Sequence, residues 1–373
     1  MNTGSDGEST PLEDNANRKV RFLPVKEFEK QLKTRVDHYF KSKAISKRDS
    51  FTMYRKTIIV LSWLVLSYSL LVFCSLSLWG IIISAISLCL ALNAVGFNIM
   101  HDGNHRSYSN NPHINRLMGF SVDLIGGSSY YWFWKHNYLH HTYPNITGID
   151  DDIEAGFVAR LSPHQKRYFF HKYQHIYIWL LYGFLVIKWH LYEDFSNFIT
   201  NKIHKHKFPR PKGWDLFLFI LGKISFFTFA FIIPSIFYPF IYVLIFYFLI
   251  SFMQGVVLTI VFQLAHCNED AEFHEYKEDV DRFDTSWLVH QLETTADFSR
   301  DNKILNWYIG GLNFQVEHHL FPKICHIHYP EISKIVEKTC REFGVTYNVY
   351  SSLLAGLLSH YRWIYRLGRA QQN

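Results

Sequence analysis

The chain has 373 residues, 49% hydrophobic and 18% aromatic, with 19% charged and a formal net charge of +6. That composition excludes a disordered chain, and the length excludes a small disulfide-stapled scaffold built on its five cysteines. The mean hydropathy of −0.03 suits a borderline soluble protein only while the distribution of apolar residues is ignored.

Residues 1–17 are polar and acidic and read as a disordered N-terminal tail, with no signal peptide before the basic segment. Residues 18–56 form that basic segment, with thirteen Lys and Arg. Within it Phe28, Leu32, Val36 and Phe40 recur at every fourth position, which predicts an amphipathic helix. Such a helix either lies on a membrane surface or packs on the cytoplasmic part of the protein.

Thr57–Met100 runs for 44 residues without Lys, Arg, Asp, Glu or His, and Ile224–Ala265 for 42. As helix, each run reaches roughly 65 Å, twice the thickness of a hydrocarbon core. Each therefore predicts two crossings, turning at Ser75–Gly80 and at Pro234–Pro239, where prolines break a helix. Soluble core helices seldom exceed about 20 residues, which rejects two very long buried helices. The expected fold is an all-α integral membrane protein with four transmembrane helices, the spans lying within about 57–100 and 214–265.

Two hairpins return the chain to its starting side. The basic segment precedes the first run and the outer turns carry no Lys or Arg, which places both termini and a helical cap in the cytoplasm. Ile176–Trp189 is apolar but short and ends near Lys188, so it reads as buried or interfacial. Residues 57–351 form one membrane domain in this reading, and 352–373 a basic C-terminal tail. Nothing resembles a nucleic-acid module, and the basic residues follow from the positive-inside bias. The cysteines show no C-x-x-C spacing.

The histidines carry the chemistry. His101 and His105 follow the first charge-free run, His136, His140 and His141 come next, His266 follows the second run, and His318 and His319 lie near the C-terminus. On a helix, positions i and i+4 share a face, which lets two imidazoles converge on one metal. Adjacent His-His pairs diverge by about 100°, which suits two neighbouring metals better than one. Eight grouped histidines exceed the three or four ligands of a zinc site, while imidazole spacing alone does not choose among Fe, Zn, Cu and Ni. Neither H-E-x-x-H nor E-x-x-H occurs. Lone histidines, His206, His326 and His360 among them, read as ordinary structural residues.

H-x-x-x-H at 101–105, H-x-x-x-H-H at 136–141 and Q-x-x-H-H at 315–319 resemble the three histidine boxes of integral membrane fatty-acid desaturases. The resemblance runs from about Phe51 to Ser351 and includes the stretches WKHNYLHHTYPNITGIDDDIE and WYIGGLNFQVEHHLFPKICHIHYPEI. Gln315, where many members have His, is typical of the front-end branch, and within it the chain is most similar to bacterial acyl-CoA desaturases of the linoleoyl-CoA type. The resemblance implies a non-haem centre of two iron ions, O2 as co-substrate, and removal of two hydrogens from an acyl chain. Carried over by position, the implied ligands are His101, His105, His136, His140, His141, His318 and His319, with His266 in QLAHC as the extra one. Gln315 either ligates weakly or only hydrogen-bonds.

Asp102 and His290, the latter in the stretch HQLETTADF, are candidates for supporting the ligands. The acidic run Asp150–Asp152 reads first as a solvated loop capping a helix, and second as imidazole support. Trp132, Phe133 and Trp134 read as an interfacial aromatic belt or as lining for an acyl tunnel. No HPGG haem motif or G-x-G-x-x-G fingerprint occurs, so electrons are expected from a separate ferredoxin, free cytochrome b5 or flavoprotein docking on the basic cytoplasmic face. The substrate is expected to be an acyl-CoA or acyl lipid, and the location the bacterial inner membrane. A sphingolipid desaturase or an acyl or alkane hydroxylase shares the same metal logic. A transporter would need ionisable residues along its spans, and the two runs have none.

Overall fold

The computed structural model describes residues 21–24, 26–276 and 282–370; the expected N-terminal tail lies outside them. Among the described residues four helices are long and apolar enough to cross a membrane: Phe51–Phe73, Leu78–Asn104, Gly213–Phe237 and Phe240–His266. The first starts six residues before the charge-free run, because the Ser50 hydroxyl accepts from Thr52 N and caps the helix there. Its hairpin turns through Cys74–Ser77, where Ser77 caps the second span.

The second hairpin corrects the expected turn. Helix continues past Pro234 to Phe237, and only Tyr238 and Pro239 lie between the spans. A π-helical turn at Thr228–Ile232 precedes Pro234, which thus begins a fresh helical segment where a missing N–H costs little. The third span also reaches below the charge-free run and takes in Lys223. That side chain is buried and donates to Asp194 Oδ2 at 2.7 Å and to Gly126 O at 2.6 Å.

With little hydrophobic drive between helices in lipid, small polar contacts hold the spans together. Trp63 Nε1 donates to Ser87 Oγ at 2.8 Å, Ser67 and Ser87 share a hydroxyl bond, and Tyr68 OH donates to Phe229 O across the hairpins. Ile58, Leu66, Ile83, Ile224 and Ile236 point outward and are exposed, as lipid-facing residues must be.

The amphipathic helix forms at Glu27–Lys43, and the structure selects its packed alternative. Phe28, Leu32, Val36 and Phe40 are buried in one core with Ile332, Val336 and Cys340 of the helix Tyr329–Phe343. Gln174–Lys188 lies along the fourth span, burying Ile178, Tyr182 and Val186 and exposing Ile176, Leu180 and Phe184. A Cβ at Gly255 would stand 2.6 Å from Gly183 O, so this crossing requires glycine. Residues 352–373 are not simply a tail. Leu353–Leu367 is a helix capped by Ser352, with Gly356, His360, Ile364 and Leu367 buried at i+4 and i+3 spacings along one face. Four two-stranded ladders complete the described residues.

Candidate metal centre

Each histidine group sits where a helix departs from regular winding or ends. The second span passes through a π-helical segment, Gly96–Met100, and delivers His101 and then His105 at its terminus. Gly103 between them lies against the Met118–Gly119 backbone, leaving no space for a Cβ. The second group lies on another π-helical segment, Phe133–His140, where His141 N bonds to His136 O in the i→i+5 pattern. With that winding, positions i+4 and i+5 both remain beside position i. His140 stacks on His136 with centroids 5.2 Å apart, and His141 meets it at 4.7 Å. His266 ends the fourth span, and His318 and His319 lie on the short helix Gln315–Leu320. Asp297 Oδ1 accepts from Val316 N at 3.0 Å, and Tyr347 OH bridges Asp297 and Glu317, so this last helix is gripped from behind.

All eight histidines come together and are buried. Ring nitrogens of His101, His105, His136 and His318 lie within 4.8 Å of one another, as do those of His140, His266 and His319. The adjacent pairs do diverge: His318 joins the first group and His319 the second, with ring planes 85° apart. His141 lies between the groups, its Nε2 2.9 Å from His318 Nε2 and 3.2 Å from His136 Nε2, its ring stacked on His319 at 4.3 Å.

The protonation states favour lone pairs over positive charge. Burial, then the neighbouring imidazoles, holds His105, His141, His318 and His319 well below the ordinary histidine value. Burial also brings His136 down to about 3. At His140 burial opposes the proton too, but the Asp150 and Asp152 carboxylates outweigh it and raise the value. Both nitrogens of His101, Nε2 of His105 and Nε2 of His319 are buried without a hydrogen-bond partner. Such groups are costly unless something accepts their lone pairs. A converging set of buried imidazole nitrogens, with His105, His136, His141, His318 and His319 held toward the neutral form, fits divalent metal ions.

The opposite ring nitrogens are tied down. His140 Nδ1 donates to Asp150 at 3.1 Å, His319 Nδ1 to Gln291 Oε1 at 2.8 Å, and His266 Nδ1 to Thr294 O at 3.2 Å. His318 Nδ1 faces the Tyr329 hydroxyl at 3.4 Å. The Asp150 carboxylate, the Gln291 amide oxygen and the Thr294 carbonyl can only accept, which puts the proton of those three rings on Nδ1 and leaves Nε2 free to ligate. Asp150 is buried and also accepts from Asn145 N and Asp152 N, so it caps its turn and supports an imidazole at once.

The remaining candidates fall in different places. Asp102 stands 3.8 Å from His101 Nδ1, but its shorter contact, 3.0 Å, is to His326 Nδ1, whose other nitrogen accepts from Lys56. His290 donates to Pro144 O and stacks on Phe283 away from the cluster; its neighbour Gln291 makes the bond to His319. Gln315 lines a narrow cavity with His136, His140, Asp152, Phe262 and His266. Trp132 covers His136, His105 and His101 at centroid distances of 4.4, 5.2 and 5.7 Å, so it shields the cluster rather than marking an interface. Trp134 packs on Phe208 instead.

Sequence reasoning misses Thr294, Tyr329 and His326, and notes Gln291 only as a companion of His290. Gln291 and Thr294 stand beside His290 in HQLETTADF, where that stretch is the available signal, while His326 reads as a lone histidine.

Four apolar spans, two of which end at a buried histidine cluster, define a membrane protein with a candidate metal centre where those helices leave the apolar layer. The chain belongs to the fatty acid desaturase family, whose profile matches residues 77–351, and it is accordingly an oxidoreductase, a fatty acyl desaturase. An sn-1 linoleoyl-lipid 6-desaturase of Synechocystis sp. is 38% identical over 353 residues, covering 94% of this chain and 98% of the relative. A protein of the same name from Arthrospira platensis is 39% identical over 350 residues, covering 94% and 95%. An acyl-lipid (8-3)-desaturase of Physcomitrium patens is 35% identical over 341 residues, covering 90% of this chain and 71% of its own length.

Proposed function

We propose that the protein inserts a double bond toward the carboxyl end of a lipid-bound acyl chain, at the 6-position of a linoleoyl group, using two irons held by the eight histidines. The convergence of buried imidazole nitrogens into two groups carries this reading. The relatives' names favour an acyl lipid over coenzyme A thioester. In balance, the chain loses two hydrogens, O2 becomes two waters, and two electrons and two protons come from outside.

In this reading His101, His105, His136 and His318 hold one ion and His140, His266 and His319 the other, with His141 between. Iron bound there supplies the oxidising power toward an unactivated C–H bond that side-chain acids and bases lack. Asp150, Gln291 and Thr294 each keep a proton on Nδ1, so Nε2 stays a donor of electrons. Trp132 keeps water from the first group. Gln315 faces the cavity between the histidines, placed to ligate or to hydrogen-bond. Electrons come from a separate ferredoxin, cytochrome b5 or flavoprotein at the basic face; a reconstituted rate insensitive to ionic strength would count against that docking. Both termini and the site face the cytoplasm, and the membrane is the bacterial inner membrane.

Expression in a host lacking polyunsaturated acids, fed linoleate, tests the reaction. Fatty-acid analysis should show a new double bond between the existing ones and the carboxyl end. A hydroxylated product with no new double bond would overturn the proposal. His140→Ala and His319→Ala should each abolish activity and lower bound iron, and unchanged iron in both would sink the ligand assignment.

A further inference from the structure

The stretch ahead of the third span contains Lys202, Lys205, Lys207, Arg210 and Lys212, and residues 201–212 include no Asp or Glu. The positive-inside bias alone asks only for charge, yet this stretch is folded. Lys202–Ile203 pairs antiparallel with His206–Lys207, and Phe208 N returns to Asn201 O at 2.9 Å. Arg210 is committed to the hairpin base, donating to Asn201 Oδ1 and Ile199 O. Ile203 and Phe208 are buried in a core that Trp134, Tyr138 and Phe219 share. The four lysines remain exposed, and among the described residues none has a carboxylate partner. Trp214 and Phe217, exposed and stacked at 4.9 Å, begin the span immediately afterwards. Aromatic residues at such a position sit at headgroup level.

We propose that this hairpin binds the phosphate-bearing headgroup of an anionic glycerophospholipid in the leaflet on the histidine side. Clusters of four to eight cations directly beside a membrane span attract anionic lipid. The span and its aromatic pair fix these lysines at the bilayer surface, which favours a lipid over a soluble anion. The rigid base holds the charges together without a protein counter-ion, so a headgroup phosphate completes them. This inference concerns binding alone and stands whether or not the reaction assigned above is correct.

Purified full-length protein in detergent, titrated with phosphatidylglycerol, phosphatidylcholine or inorganic phosphate, tests it by native mass spectrometry of retained lipid. The variant K202Q/K205Q/K207Q is compared with K30Q/K33Q/K41Q, which removes equal charge from exposed positions on the Glu27–Lys43 helix. The hairpin variant should bind phosphatidylglycerol roughly tenfold to a hundredfold more weakly, while the comparison variant stays close to the parent. Lys205→Gln alone, at the hairpin tip, gives a smaller loss in the same direction and serves if the triple variant melts early. Equal loss in both triple variants, equal retention of phosphatidylcholine, or displacement of the lipid by inorganic phosphate would each overturn the proposal.

Discussion

Gln291 spans two histidines with one side chain. Its Oε1 accepts from His319 Nδ1 and its Nε2 donates to the His141 carbonyl oxygen at 3.2 Å. Outer partners of this kind are worth tenfold to a hundredfold in metal affinity. Gln291→Leu should therefore weaken iron binding by roughly that factor, whereas Gln291→Glu keeps an acceptor toward His319 and should retain most of it. Iron content after dialysis against a graded chelator series separates the two; equal loss in both would show that Gln291 does not act through His319. The same scale explains why support is harder to read than ligation. Seven of the histidines announce themselves by spacing, and His266 through the QLAHC resemblance. Thr294 and Tyr329 act through one atom each and Gln291 through two, all brought up by folding from other elements, and the Thr294 atom is a backbone carbonyl that any residue would supply.

Elements are legible where the apolar pattern is long, and less so where two outcomes bury the same face. The charge-free runs contain spans 2 and 4 nearly whole, while the first span starts six residues ahead of its run, at Phe51. The third begins earlier, because Lys223 satisfies its charge on Asp194 and enters the helix without facing lipid. Phe28, Leu32, Val36 and Phe40 define a stripe that lipid or protein covers equally well, so only the partner helix Tyr329–Phe343 decides between them. Leu32 is fully buried there. Leu32→Ala should cost about 2–5 kcal/mol of that docking. Limited proteolysis in native membranes should then cut within residues 27–43 faster than in the parent; unchanged cleavage would place the helix on lipid instead. The helix Leu353–Leu367 escapes sequence reading because its arginines suggest a tail, although its apolar residues recur at helical spacing.

At the scale of the molecule, family and architecture agree, and the orientation is open to direct measurement with a residue already present. Of five free cysteines only Cys74 is exposed, in the turn between the first two spans. If the histidine cluster faces the cytoplasm, a membrane-impermeant maleimide added to intact spheroplasts should label the protein at Cys74, and Cys74→Ser should abolish labelling. Labelling only in inverted vesicles would reverse the topology. The reason the sequence can be read this far is that span length, charge placement and histidine spacing each answer to one physical constraint. Regiospecificity and donor identity answer to shapes that no single spacing encodes.

The π-helical winding at Phe133–His140 has a consequence for how a histidine box is written. In an α-helix the neighbours of position i lie at i+3 and i+4; with i→i+5 bonding they lie at i+4 and i+5. The box H-x-x-x-H-H wound as π thus presents its three rings much as H-x-x-H-H would if wound as α. The spacing and the winding are two halves of one code, and a change in either can be cancelled by the other. Deleting Tyr138 should let the segment relax to α winding and preserve much of the bound iron, while inserting one alanine after Tyr138 leaves no common helical winding that restores the face. Iron loss as severe in the deletion as in the insertion would show that residue count, rather than angle, is what the centre reads.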